Sequence, residues 1–191
     1  MNDKLTINIP ESIEDITLSQ YLEIQKLNER DLSEEAFMER IVMLLCGVDK
    51  RDIKKIDIRD YSLLGDALNK ALSTESKFKN RFTLNGVEYG FIPNFDKMSQ
   101  GEYIDLTSNN LEGESLPTIM AVLFRPIVKS DSFDNYKIAP YDADPERIEI
   151  MKGAPMNIVN GAMVFFWSLA KELKSYTLKS MEAQEEERSQ Q

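Results

Sequence analysis

"RFTLNGVEYGFIP", residues 81–93, predicts a β-hairpin in a chain whose other patterns are mostly helical. Asn85-Gly86 is the dipeptide that a type I′ turn prefers, and apolar residues alternate on both sides of it until Pro93. A hairpin alone is barely stable in water. We therefore expect it to pair with a second alternating stretch, LTINIP at residues 5–10, in a small three-stranded sheet.

Three helices are predicted before the hairpin. Thr17 and Gln20 have the spacing of a capping box, which begins the first helix. Ser33 is expected to begin the second helix, and Gly47 to end it. The third helix is expected over residues 60–73, where leucine and alanine recur every three or four positions.

Further helices are predicted after the hairpin. Ser99 and Glu102 repeat the capping-box spacing. The apolar stretch LPTIMAVLFRPI, residues 116–127, predicts a buried helix that Pro126 ends. Between this helix and the next we expect a loop with one short extended piece. Asp144 is then expected to cap a helix that begins with a proline.

The last helix is expected to begin near Pro155 and to run to about Glu182. The fold class that these patterns predict is mainly α. It is a single helical domain over residues 1–182, with a small antiparallel β-hairpin or three-stranded sheet and a long C-terminal helix. Residues 183–191 are expected to form a charged tail.

The stretch GAMVFFWSLAKEL, residues 161–173, lies on this last helix. A rotation of about 100° per residue divides the helix into two sides. One broad side carries an apolar stripe of the kind that faces a core: Ile158, Ala162, Phe165, Phe166, Leu169, Leu173 and Tyr176. Val164, Trp167 and Leu178 fall on the other side, near Lys171.

Two interpretations of the second side remain open. In the first, the helix is central in its own domain and is covered on both sides, so that Trp167 is buried. In the second, Val164, Trp167, Lys171 and Leu178 form a docking surface for another protein, because tryptophan is frequent among the residues that dominate binding energy.

Composition excludes several classes of function. The 191-residue chain has 33 acidic and 23 basic residues, and its net charge of −10 repels phosphate backbones, so we expect no nucleic-acid binding. The chain has no histidine, which removes Ser-His and Cys-His catalysis and imidazole metal ligands. The one cysteine, Cys46, lies among apolar residues and is expected to be an inert thiol.

The acidic residues also lack the pattern of a catalytic or metal site. The stretch around residues 134–146 holds four carboxylates without the regular spacing and glycine turn of a calcium loop. We interpret two of them, Asp142 and Asp144, as turn and cap residues. We therefore expect no enzymatic activity, no metal and no cofactor.

No membrane insertion is expected. The apolar run over residues 161–170 is half the ~20 residues that a helix needs to cross a bilayer. The first residues, MNDKLTINIP, lack the apolar centre of a signal peptide, so we expect the protein to act in a reducing cytosol.

Four segments together resemble a family of small proteins from tailed bacteriophages, which are assigned as tail assembly chaperones or as tail-region proteins. They are YGFIPNFDKMSQGEYIDL (89–106), MAVLFRPIV (120–128), YKIAPYD (136–142) and MKGAPMNIVNGAMVFFWSLAKEL (151–173). The positions that match the family are Tyr89, Gly90, Pro93, Gly101, Glu102, Tyr103, Arg125, Pro126, Phe165 and Phe166. Most of them have plain structural interpretations as turn, cap or core residues. Arg125 differs, because in so apolar a segment it needs an acidic partner such as Glu102 or Asp105, or a route to solvent.

The resemblance implies a non-enzymatic helper that binds the tape-measure or tail-tube protein in the host cytoplasm during tail assembly. An alternative is a structural tail, neck or internal protein that is retained in the virion. An enzyme that acts through carboxylates is a third, weaker hypothesis. Assembly of several copies into a homo-oligomer is compatible with the sequence.

Overall fold

The computed structural model describes residues 6–107 and 113–168. Its helices are α1 (Leu18–Asn28), α2 (Glu34–Cys46), α3 (Lys50–Ile53), α4 (Ile58–Leu72), α5 (Gln100–Thr107), α6 (Leu116–Leu123), α7 (Pro145–Met151) and α8 (residues 156–168). Its strands are β1 (Arg81–Leu84), β2 (Val87–Phe91), β3 (Phe124–Ser130) and β4 (Tyr136–Ile138). Short 3₁₀ turns occupy Ile13–Asp15, Phe95–Lys97 and Gly113–Ser115.

The predicted helix boundaries are confirmed where capping residues marked them. The hydroxyl of Thr17 accepts the backbone N–H of Gln20 at 3.2 Å, and the Gln20 side chain accepts the N–H of Thr17 at 3.0 Å. Ser33 caps α2, and Gly47 ends it in the left-handed conformation at φ +64°. The carboxylate of Asp144 accepts an N–H in the first turn of α7.

The strands form one antiparallel sheet in the order β1-β2-β3-β4. The hairpin of β1 and β2 turns at Asn85 and Gly86, which both have positive φ, as predicted. Strand β2 pairs with β3, so that Gly90 lies opposite Arg125. The short extended piece expected after α6 is confirmed as β4.

The predicted fold class is wrong in its sheet. The structure is mixed α/β with a four-stranded sheet, whereas we predicted a mainly α fold with a hairpin or three strands. Residues 6–10 form no strand. The third strand comes instead from the stretch assigned to a buried helix, since α6 ends at Leu123 and Phe124 is extended. Pro126 does not end the helix as predicted, because α6 ends three residues earlier at Leu123. It lies within β3 beside a shift in the register with β4, although a proline usually argues against an inner strand.

Only part of the predicted long C-terminal helix can be compared with the structure. Residues 156–168 are helical, which agrees with a start near Pro155. Residues 169–191, including the predicted end at Glu182 and the tail, lie outside the described residues. The prediction of a single domain over residues 1–182 stays a prediction.

One hydrophobic cluster joins the helices to the sheet. Helix α6 lies at its centre, packed between α5 and α7, and nearly all of its side chains are buried. The start of α8 is bound to the start of α1 through the backbone, because the N–H of Met156 donates to Ile16 at 2.8 Å and that of Leu18 to Ala154 at 2.9 Å. This pairing holds α8 against the core.

Candidate protein-binding surface

The inner side of α8 is closed by the rest of the chain. Ile158, Val159 and Ala162 are each at most 3% exposed. At Gly161 the loop between α4 and β1 crosses the helix so closely that an added Cβ would lie 2.6 Å from the carbonyl oxygen of Lys77. The prediction that Ile158 and Ala162 face the core is therefore confirmed.

Phe165 and Phe166 lie at the border of this buried side. Phe165 stacks on Phe78 with ring centroids 4.3 Å apart and meets the edge of Phe91 at 5.6 Å, yet it remains 37% exposed. Phe166 is half-buried against Phe95. The prediction assigned both phenylalanines to the core side, and the structure places them at its rim.

The other side of α8 is exposed to solvent at the residues that the structure describes. Val164 is 65% exposed and Trp167 is 54% exposed. Residues three apart on a helix are neighbours on its surface, so these two side chains form one apolar surface, which we name the outer surface of α8. The interpretation in which Trp167 is buried is wrong. Lys171 and Leu178, the other two predicted docking residues, lie outside the described residues.

Phe78 is the surface residue that sequence reasoning missed. It lies in the polar loop TESKFKN, residues 74–80, where no periodicity marks a lone aromatic residue. The structure places it on Phe165 and, edge-on, against Phe91 at 4.9 Å. It is 36% exposed, and its stack on Phe165 joins α8 to the neighbouring loop.

A second group of residues surrounds Arg125, a charged residue inside an apolar segment of the sequence. The guanidinium of Arg125 lies 2.6 Å from Glu102 Oε1, and both side chains are at least 93% buried. The second oxygen of Glu102 accepts the N–H of Ser99 at 2.5 Å, as the predicted capping box requires. Burial lowers the pKa of Arg125, and the neighbouring Glu102 opposes this shift.

Polar contacts around this ion pair join α5, α7 and the loop after β4. The hydroxyl of Tyr141 donates to Asp105, and burial together with this hydrogen bond raises the pKa of Tyr141. Arg147 binds Asp142 at 2.8 Å. The cavity beside these residues has a volume of about 30 Å³, which is room for about one water molecule and none for a substrate. The cluster therefore has the geometry of a structural network.

Several of the positions on which the sequence resemblance rests have structural roles in this region. Gly90 lies under the ring of Tyr136, where an added Cβ would be closer to a ring carbon than any contact allows. Gly101 faces the ring of Tyr141 at 3.3 Å from the position of an added Cβ. Tyr89 is buried and pairs with Pro126 across the sheet. These positions maintain the packing of the sheet and of α5.

Residues 6–107 and 113–168 contain neither a cluster of metal-ligating side chains nor a helix that could span a bilayer. No three side chains of Cys, Asp or Glu there lie close enough together to hold a metal ion. Every helix in this part of the chain is too short or too polar to span a bilayer. Asp142 and Asp144 act as turn and cap residues, which confirms the prediction for both.

Comparison of the chain with protein-family models, curated proteins and solved structures gives no significant match.

Proposed function

We propose that the protein is a tail assembly chaperone of a tailed bacteriophage, which binds the tape-measure protein in the host cytoplasm and makes or breaks no covalent bond. The observation that carries this proposal is the exposure of Val164 and Trp167 on α8. Large aromatic side chains that remain in water mark protein-binding surfaces more often than isolated aliphatic ones do. The order of the four family-like segments in the sequence supports the same class of protein.

The physical fit rests on the shape and chemistry of α8. A tape-measure protein is a long helical chain, and an exposed apolar helix side can pack along another amphipathic helix. The acidic body of the chaperone, at net charge −10, would keep such a complex soluble. Lys171 and Leu178 would extend the same surface if the helix continues as the sequence predicts.

The test uses the full chain with Val164→Ser and Trp167→Ala together and measures its affinity for the tape-measure protein of the same phage by calorimetry. We expect at least a tenfold loss of affinity, which corresponds to about 1.4 kcal/mol, because a central tryptophan carries a large part of a binding energy. The matched control is Val128→Ser with Phe133→Ala. This variant also removes two exposed apolar side chains, but from the β3–β4 hairpin and not from α8.

Equal affinity of the wild-type chain and the α8 variant would contradict the proposed surface. A second measurement separates the chaperone from a structural protein of the particle. Mass spectrometry of purified virions should find the chain absent or in trace amounts, whereas many copies per particle would favour the retained tail, neck or internal component.

A further inference from the structure

A groove of about 490 Å³ lies between α1, α2 and the start of α3, among elements that contribute nothing to the outer surface of α8. Its apolar lining comes from Leu27, Ala36, Met43 and Leu44. Leu27 is buried and Leu44 is half-buried, whereas Met43 is 38% exposed. Methionine adapts its shape to the side chain that it contacts, so this lining suits an incoming apolar residue.

Some charged side chains around the groove have an ionic partner in the described residues, and others do not. Lys50 lies 3.0 Å from Glu39, and Lys26 lies 3.2 Å from Glu23, so both acidic residues of the lining have a cationic partner. Arg30 and Arg40 also line the groove and are exposed, and neither is paired with a carboxylate in residues 6–107 or 113–168.

Two unpaired arginines beside an apolar lining give the groove a preference for ligands that combine carboxylates with an apolar side chain. The groove lining holds three cationic and two acidic side chains, in a chain whose net charge is −10. A guanidinium binds carboxylates through two parallel hydrogen bonds and is less strongly hydrated than an ammonium group. The ligand that fits must therefore present carboxylates and an apolar side chain along one edge.

We propose that this groove binds an acidic amphipathic helix of another protein. Its carboxylates bind Arg30 and Arg40, and an apolar side chain between them packs on Met43 and Leu44. A helix presents such residues on one edge at spacings of three and four, which is the geometry of helix-in-groove recognition. This binding mode is independent of the outer surface of α8.

The probe is a fluorescein-labelled, helix-forming peptide of about 18 residues with leucine and glutamate on one face and alanine and glutamine elsewhere. Its fluorescence anisotropy is followed as the full chain is added. We expect Arg30→Glu with Arg40→Glu to weaken binding about tenfold, because two attractive pairs become repulsive. Raising the salt concentration should weaken binding to the wild-type chain as well.

Arg51→Glu with Arg59→Glu is the matched control, since both arginines are exposed, unpaired in the described residues and absent from the groove lining. It changes the net charge equally and should alter the affinity less than about twofold. A peptide with glutamine for glutamate should bind the wild-type chain about tenfold more weakly, and one with serine for leucine should lose binding.

The proposal is overturned if the two double variants bind the acidic peptide equally, or if a peptide with lysine in place of glutamate binds more tightly. It is also overturned if the wild-type chain forms a dimer by sedimentation that only Arg30→Glu with Arg40→Glu dissociates. That result would assign the groove to a second copy of the chain.

Discussion

The buried ion pair and the outer surface of α8 depart from the usual distribution of residues in opposite directions. Arg125 and Glu102 are charges placed inside the protein, and Val164 and Trp167 are apolar side chains left in water. The buried charges find their partners in the chain itself. The exposed apolar residues have no such explanation in the described residues, which makes α8 the candidate protein-binding surface.

The largest loss of stability is expected from breaking the buried ion pair of Arg125 and Glu102. Glu102→Ala leaves the Arg125 guanidinium buried without its carboxylate and also removes the acceptor for the Ser99 N–H. We expect a loss of about 3–5 kcal/mol in the free energy of unfolding, measured by urea denaturation. The outer surface of α8 is not involved in this change.

Glu149→Ala is the matched control for that variant. Glu149 also lies 2.6 Å from its cationic partner, Lys152, but this pair is exposed. Its loss should cost at most about 1 kcal/mol. Replacing the buried pair by Glu102→Leu with Arg125→Met should recover most of the stability, since apolar side chains need no ionic partner. Equal losses for the two alanine variants would show that burial does not govern this ion pair.

A smaller loss of stability is expected from Gly161→Ala on the inner side of α8. The added methyl group would lie 2.6 Å from the backbone oxygen of Lys77, so the crossing loop or the helix must move. We expect a loss of about 1–3 kcal/mol, which exceeds the gain in helix propensity. Thermal or urea unfolding followed by circular dichroism measures it.

Gly65→Ala provides the comparison, because Gly65 also lies within a helix and its added Cβ would also meet an atom at 2.6 Å. That atom is the terminal methyl of Met38, which can rotate away. The variant should be neutral or more stable by up to about 1 kcal/mol. If both alanines have the same effect, the close approach of the loop to α8 does not constrain the fold.

The sequence predicted those elements whose signal is local. Capping residues such as Thr17, Ser33 and Asp144 act within four residues of their own position, and the Asn85-Gly86 turn acts on its direct neighbours. For Arg125 the sequence left Glu102, Asp105 and solvent open, because a guanidinium in an apolar segment needs a carboxylate or water, and the structure selects Glu102.

The parts that sequence reasoning missed depend on distant contacts. The stretch from Leu116 to Ile127 is apolar throughout, so periodicity could not show where α6 ends and β3 begins. The extended conformation of Phe124 is stabilised by pairing with Phe91, which lies far away in the chain. Phe78 stacks on Phe165 only because its loop crosses α8 at Gly161.

The smallest loss of stability is expected from a substitution on the outer surface of α8. Trp167→Ala should change the free energy of unfolding by no more than about 0.5 kcal/mol, because a side chain that is 54% exposed contributes little to the core. Phe165→Ala, two residues earlier, should cost about 1–3 kcal/mol, below the cost of a fully buried phenylalanine, because it removes the stack on Phe78 and the contact with Phe91. Urea denaturation of both variants gives the difference. If Trp167→Ala costs as much as Phe165→Ala, the tryptophan stabilises the protein itself, and the proposal that α8 keeps it for a partner loses its physical basis.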